Sequence, residues 1–274
     1  DWGMQRRELS GIEAIGVDEI ASGKGHNYLT LVYQIDQGAR RLLHVAEKRS
    51  VRSLLSFFRA LGKERARSIK YVCSDMWKAY LKVIKKKLPD ALHVLDRFHI
   101  VANLNKALNA VRVAETRELK QQGYEPHLKH TRYCFLKNVE NLTKPQFKRL
   151  EEVLRLDLKS VRAWLLKESF QLLWAYKSVR WAGWFLEKWC RRAMRSRLDP
   201  IKAFARSMRK HRKLILNYFA AKKQFSSGVV EGLNRKANLI TRKSYGFRTY
   251  QARKTALFHT LGKLPEPKLT HSFC

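Results

Sequence analysis

Two hydrophobic periods divide this chain. Over residues 11 to 45 apolar positions alternate or run together briefly, as in β-strands. Ile12, Ala14, Ile15 and Val17 make a short run that ends at a carboxylate, Asp18. Ala21 to Gly25 reads as a turn, and His26 to Ile35 alternates with the β-formers Tyr28, Thr30, Val32 and Tyr33. Asp36-Gln37-Gly38 is a hairpin turn, and Arg41 to Val45 returns. From Ser53 to Leu61 the period lengthens, with Leu54, Leu55, Phe58 and Leu61 on one helical face and Gly62 closing it. A strand at Tyr71-Val72-Cys73-Ser74 then ends at Asp75, a helix spans Trp77 to about Lys87, and Ala91 to Leu95 is a strand ending at Asp96. A longer helix starts near Phe98. The order β-β-β-α-β-α-β-α predicts an α/β fold, a mixed sheet with flanking helices.

Between Pro126 and Phe225 the strand signal disappears. Thr143-Lys144-Pro145-Gln146 has the form of a capping box with proline early in the helix. Val153, Leu156, Val161, Leu165 and Phe170 fall at helical spacing, and so do Leu172, Leu173 and Tyr176. Trp164, Trp174, Trp181, Trp184 and Trp189 also lie here and are expected mostly in a core, one of them being available for stacking on a flipped base. Ser226-Ser227-Gly228 punctuates the end of the block, and either serine suits an N-cap. In the helix from Val229 to about Thr241, Val230, Leu233, Ala237 and Ile240 make the buried stripe. Glu231, Arg235 and Asn238 share a neighbouring face. After Ser244 to Arg248 comes a last helix, Tyr250 to Leu261, with Pro265 and Pro267 beyond it. The expected division is 1–125, first part of an α/β core; 126–225, an all-helical insertion; and 226–274, the rest of the core.

Charge changes the picture most. The chain has 57 Lys and Arg against 23 Asp and Glu, a formal net charge of +34 over 274 residues. Such an excess repels itself unless a polyanion is present, which points to nucleic acid. A membrane surface would call for one basic amphipathic helix, whereas the cations here run the length of the chain. No apolar run approaches the ~18–20 residues of a membrane span. Cys73, Cys134, Cys190 and Cys274 are too scattered for a zinc ribbon and fit a reducing compartment. The chain opens on Asp1 rather than Met, which predicts a fragment or a processed product.

In a basic chain, acids at strand ends stand out. Phosphodiester chemistry on DNA uses metal ions to neutralise developing charge, often a pair about 3.5–4 Å apart. Mg²⁺ takes hard oxygen ligands, so two or three carboxylates suffice. Asp18 and Asp75 end strands that the element order makes neighbours, and Glu231 sits on a helix able to cross that sheet. Each has a plainer reading: Asp18 as a strand-ending turn residue, Asp75 as a helix N-cap, and Glu231 as the partner of Arg235. Glu19 alternates to the opposite face of its strand and is left out.

The words around these acids carry a resemblance. I-G-V-D-E-I-A-S-G-K-G-H at 15–26, S-D-M-W-K-A-Y at 74–80, D-R-F-H at 96–99, V-V-E-G-L-N-R-K at 229–236 and S-Y-G-F-R at 244–248 occur in this order. Together they resemble bacterial insertion-sequence transposases of the ISL-three group, a branch of the DDE transposases. The resemblance implies an RNase H-like core interrupted by an all-helical insertion. It implies Mg²⁺-dependent cleavage at transposon ends and strand transfer, with two ions that Mn²⁺ can replace. By position, Asp18, Asp75 and Glu231 match the family's catalytic acids and metal ligands, and Asp96 and His99 match an accessory D-x-x-H motif. Double-stranded DNA as partner, a homo-oligomer on it and a bacterial cytoplasmic location follow from the same resemblance. Family members carry an upstream zinc-binding and helix-turn-helix region, to which the resemblance does not extend here.

The basic clusters divide in two. Arg191, Arg192, Arg195 and Arg209, in the helical block, are expected to give sequence-independent, salt-sensitive DNA affinity. Arg235, Lys236, Arg242, Lys243 and Arg248 lie near Glu231 in sequence and are expected closer to the scissile phosphate. Two rivals remain on the same residues: a metal-dependent nuclease or resolvase that cleaves without joining, and an inactive DNA-binding derivative of a transposase.

Overall fold

The computed structural model describes residues 2–22, 27–124, 127–223 and 228–266. The turn at Gly23 to Gly25, the strand start at His26, the Ser226 and Ser227 caps, Pro267, Cys274 and the expected boundaries at 125/126 and 225/226 lie at or outside the edges of those segments. In chain order come α1 (Trp2–Gln5), β1 (Ala14–Ala21), β2 (Tyr28–Asp36), β3 (Ala39–Glu47), α2 (Val51–Leu61), α3 (Lys63–Arg67), β4 (Tyr71–Ser74), α4 (Lys78–Lys87) and β5 (Leu92–Leu95). Then follow α5 (Arg97–Gln121), α6 (Arg132–Leu136), α7 (Lys144–Leu154), α8 (Lys159–Gln171), α9 (Val179–Met194), α10 (Asp199–Lys210) and α11 (Arg212–Ala220). The chain closes with α12 (Gly228–Lys243) and α13 (Tyr250–Leu261). It forms two compact units: residues 1–96 with 223–274, and residues 97–222. The long helix α5, expected with the first part of the core, therefore groups with the helical unit.

In the first unit the described strands form one sheet in the order β3-β2-β1-β4-β5. β1, β2 and β3 pair antiparallel, while β4 and β5 run parallel to β1. This is the mixed sheet with flanking helices expected of an RNase H-like core. Alternation sends β1 side chains to two cores. Ile15 and Val17 join Leu54, Phe57, Phe58, Tyr80 and Ile84 beneath α2 and α4. Ala14 and Ile20 join Tyr33, Val230, Leu233, Ala237, Leu257 and Phe258 beneath α12 and α13. The sheet is thus covered on both faces, and the stripe expected on α12 is the one that packs.

Local chemistry sets the helix ends. Ser50 Oγ accepts from the Ser53 amide at 3.1 Å to start α2, and Gly62 ends it at φ 85°. Thr143 and Gln146 form the reciprocal capping box at α7, with proline in the first turn.

The described residues of the second unit hold helices and short 3-10 turns. Its core centres on Phe170, whose ring meets Trp189 at 4.8 Å, Phe204 at 5.4 Å and Trp174 at 6.0 Å, all edge-on. Glu115 of α5 is buried and accepts from the amides of Lys159 at 2.6 Å and Ser160 at 2.7 Å, capping α8 from outside. Of the five tryptophans named above, Trp164, Trp174 and Trp189 are buried, while Trp181 and Trp184 stand in solvent.

Candidate active site

Parallel pairing in register brings the acids into a row. Val17 of β1 pairs with Ser74 of β4, and Ser74 pairs with Leu95 of β5. The next residue on each strand is Asp18, Asp75 and Asp96. The ladder continues one step past the strands, with the Asp96 amide donating to the Ser74 carbonyl at 2.8 Å. Three carboxylates thus follow one another in register across three adjacent strands: Asp75 and Asp96 come just past the ends of β4 and β5, whereas Asp18, expected to end its strand, lies inside β1, which stays paired with β2 as far as Ala21. Asp75 and Asp96 are buried and Asp18 is half-buried. Asp18 and Asp96 each offer an oxygen within 4.8 Å of the other. Beneath them the buried Cys73 thiol is pushed well up, first by burial and then by the charges of Asp96 and Asp18.

Asp18 is held by a relay from α12 that the sequence did not reveal. Its Oδ1 accepts from the Glu19 amide at 2.8 Å, and its Oδ2 accepts from Asn234 Nδ2 at 2.6 Å. Tyr33 of β2 donates its hydroxyl to Asn234 Oδ1 at 2.8 Å. That bond leaves the amide nitrogen of Asn234 facing Asp18. The relay depends on how closely α12 lies on β1. A Cβ at Gly16 would sit 2.3 Å from Val230 Cγ2, so glycine permits the contact.

Asp75 is anchored differently. Its Oδ1 accepts from the Trp77 amide at 2.6 Å, bracing the turn before α4, and its Oδ2 accepts from Arg49 Nη2. Helix α4 begins at Lys78 with Trp77 as its N-cap residue, so Asp75, whose plainer reading was that cap, instead braces the turn from two residues ahead of it. Arg49 also lies 2.9 Å from Glu19 Oε1, off the hydrogen-bond line, and its guanidinium sits 4.7 Å above the Trp77 ring. Glu19, on the α2 and α4 face, is pushed up to about 7 by burial and the charge of Asp75; a Tyr80 hydrogen bond and Arg49 pull the other way.

Glu231 lies in the first turn of α12, one turn before Asn234, and pairs with Arg235 at 2.6 Å. Arg235, Lys236, Arg242, Lys243 and Arg248 are exposed along that helix and the loop after it. His99 lies in the first turn of α5, the opening helix of the second unit, and is half-buried. In that unit Arg191 and Arg209 share Glu187, at 3.5 and 2.8 Å, and Arg192 donates to Ser169 Oγ at 2.9 Å. Arg192 and Arg195 line one concavity with Arg162 and Arg197.

The close pair of Asp18 and Asp96 suits a hard divalent cation, while both oxygens of Asp75 are engaged by the Trp77 amide and Arg49. The donors of that pair are carboxylate oxygens, and two carboxylates as close as Asp18 and Asp96 repel each other unless a positive charge lies between them. Among the described residues no helix is long and apolar enough to cross a membrane.

Comparison with known proteins agrees with the motif order. The profile of a family described as transposase, the DDE transposases of the ISL-three group, matches residues 15–257. The transposase for insertion sequence element IS1001 of Bordetella parapertussis is 31% identical over 247 residues, covering 89% of this chain and 60% of that protein. The transposase for insertion sequence element IS1557 of Mycobacterium tuberculosis is 33% identical over 266 residues, covering 89% of this chain and 59% of that protein. The chain thus spans about three fifths of the length of these relatives.

Proposed function

This chain belongs to the ISL-three family of DDE transposases, and from that premise we propose that it performs Mg²⁺-dependent cleavage at transposon DNA ends and strand transfer into target DNA. The observation that supports this most is the in-register row of Asp18, Asp75 and Asp96 across three adjacent strands, with α12 laid against β1 so that Asn234 reaches Asp18. In this reading Asp18, Asp75 and Glu231 hold the metal, and Asp96 adds a carboxylate beside Asp18. Bound there, Mg²⁺ or Mn²⁺ supplies charge neutralisation and activation of the attacking oxygen. Asn234 and Tyr33 keep Asp18 turned toward the site. Arg49 keeps Asp75 and Glu19 from repelling each other across the sheet. His99 orients a carboxylate or contacts a phosphate.

DNA is the substrate in this reading. Arg235, Lys236, Arg242, Lys243 and Arg248 grip phosphates near the scissile bond, and Arg191, Arg192, Arg195 and Arg209 add affinity without reading sequence. A homo-oligomer brings two ends together, in the bacterial cytoplasm. A strand-transfer assay with pre-cleaved ends tests the proposal. Joined products that require divalent metal and vanish in Asp18→Asn are expected. Metal-dependent cleavage with no joining would replace this reading with a nuclease or resolvase, and an Asp18→Asn protein as active as the parent would end it.

A further inference from the structure

Trp184 and Trp181 of α9 are 52% and 57% exposed, although tryptophan is the costliest side chain to leave in water. Their rings meet edge-on at 6.1 Å, and Lys188 Nζ lies 4.8 Å from the Trp184 ring centre. Trp184 borders a cavity of about 570 Å³, a size that suits one nucleotide. Tyr176, Lys188, Arg191, Arg192 and Arg195 also line it, and among the described residues no carboxylate does. The buried Trp189 forms part of its wall, with its indole N–H already spent on the Leu166 carbonyl at 2.9 Å. The site therefore couples open aromatic surface to four cations, with Arg192 held in place by Ser169.

We propose that this cavity receives one unpaired nucleotide of the DNA, its base stacked on Trp184 and its phosphate held by Arg192 and Arg195. Chemistry selects the ligand. Stacking needs an accessible base face, which a paired duplex does not offer, and the cations need an anion attached to that base. A nucleotide in an overhang or turned out of a duplex supplies both. The inference rests on DNA being the partner, but it is independent of the acid row: every residue in it belongs to the helical unit.

The test is equilibrium binding, without divalent metal, of three duplexes: blunt, with a short single-stranded tail, and with the same tail made abasic. The parent chain should favour the tailed duplex over the abasic one by about tenfold, the effect of stacking one base. Trp184→Ala should remove that preference and leave blunt-duplex affinity unchanged, while Trp184→Phe keeps most of it. Arg195→Ala should weaken binding to all three and lower the slope of log affinity against log salt by about one. Thermal midpoints close to the parent's are expected, since both side chains lie on the surface. Overturning results are no base preference in the parent, a preference that survives Trp184→Ala, or a Trp184→Ala protein that changes only its oligomeric mass in light scattering. Failure of binding to all three DNAs would instead count against the proposed function.

Discussion

Asn234 does more for the acid row than its place in the sequence suggests. It lies between Leu233 and Ala237 on the buried stripe of α12, where a polar residue reads as an interruption. In the fold it donates to Asp18 at 2.6 Å and accepts from the buried Tyr33 hydroxyl at 2.8 Å. Asn234→Ala removes both bonds and leaves that hydroxyl unpaired, which should cost about 1–3 kcal/mol in a denaturant titration. It should slow metal-dependent cleavage about tenfold or more, because Asp18 loses its fixed orientation. Tyr33→Phe, which leaves Asn234 in place, should cost less on both counts. Asp75 and Asp96 were legible as carboxylates that close an apolar run, a local pattern; Asp18 follows such a run too, but β1 continues past it to Ala21. Asn234 and Arg49 were not, because their partners Asp18 and Asp75 lie 216 and 26 residues away and no local period marks such pairs. Glu19 was rightly assigned to the other face of β1; what that face held for it, Arg49 and Tyr80, was hidden.

Among the elements, the contact of α12 with β1 decides whether the site assembles. Gly16→Ala would drive a methyl into Val230 Cγ2, 2.3 Å from the new carbon, and push α12 off the strand. A destabilisation of about 1–3 kcal/mol is expected, with loss of cleavage. Val230→Ala in the same chain should restore much of both, whereas failure of that rescue would mean the clash lies elsewhere. Strand β3 offers a separate check. His44, facing Ser56 at 2.8 Å, is lowered from 6.5 to about 4 by burial, then by Lys254 and Arg7. An imidazole whose folded pKa is depressed binds fewer protons folded than unfolded between those values, so stability is full above pH 6.5 and falls as pH drops toward 4. The loss amounts to at most about 3 kcal/mol, reduced by the ring's partial exposure. Thermal midpoints at pH 7 and pH 5 should differ less in His44→Gln. The order of elements along the chain, the capping box at α7 and the α12 stripe were readable from period and caps; the sheet order was not, beyond the β2–β3 hairpin and β1 lying beside β4. Helix α3 was not, since its five residues are too few to show a period.

For the whole molecule, the +34 charge and the acids find one joint explanation in the proposed function, with DNA as substrate. In the proposed function the cations draw in phosphate and the acids hold the metal that phosphate chemistry needs. The expectation of a polyanion was legible in composition at once. The division of the chain was less so: α5 continues from the strand that ends at Asp96, so nothing local separates it from the sheet, although its packing is with the helical unit. Whether the acid row is a metal site can be measured most directly by electron paramagnetic resonance of Mn²⁺ titrated into the chain on duplex DNA, parent against Asp18→Asn. The account predicts saturable binding in the parent that is lost in Asp18→Asn. Saturable binding of unchanged affinity in Asp18→Asn would contradict it.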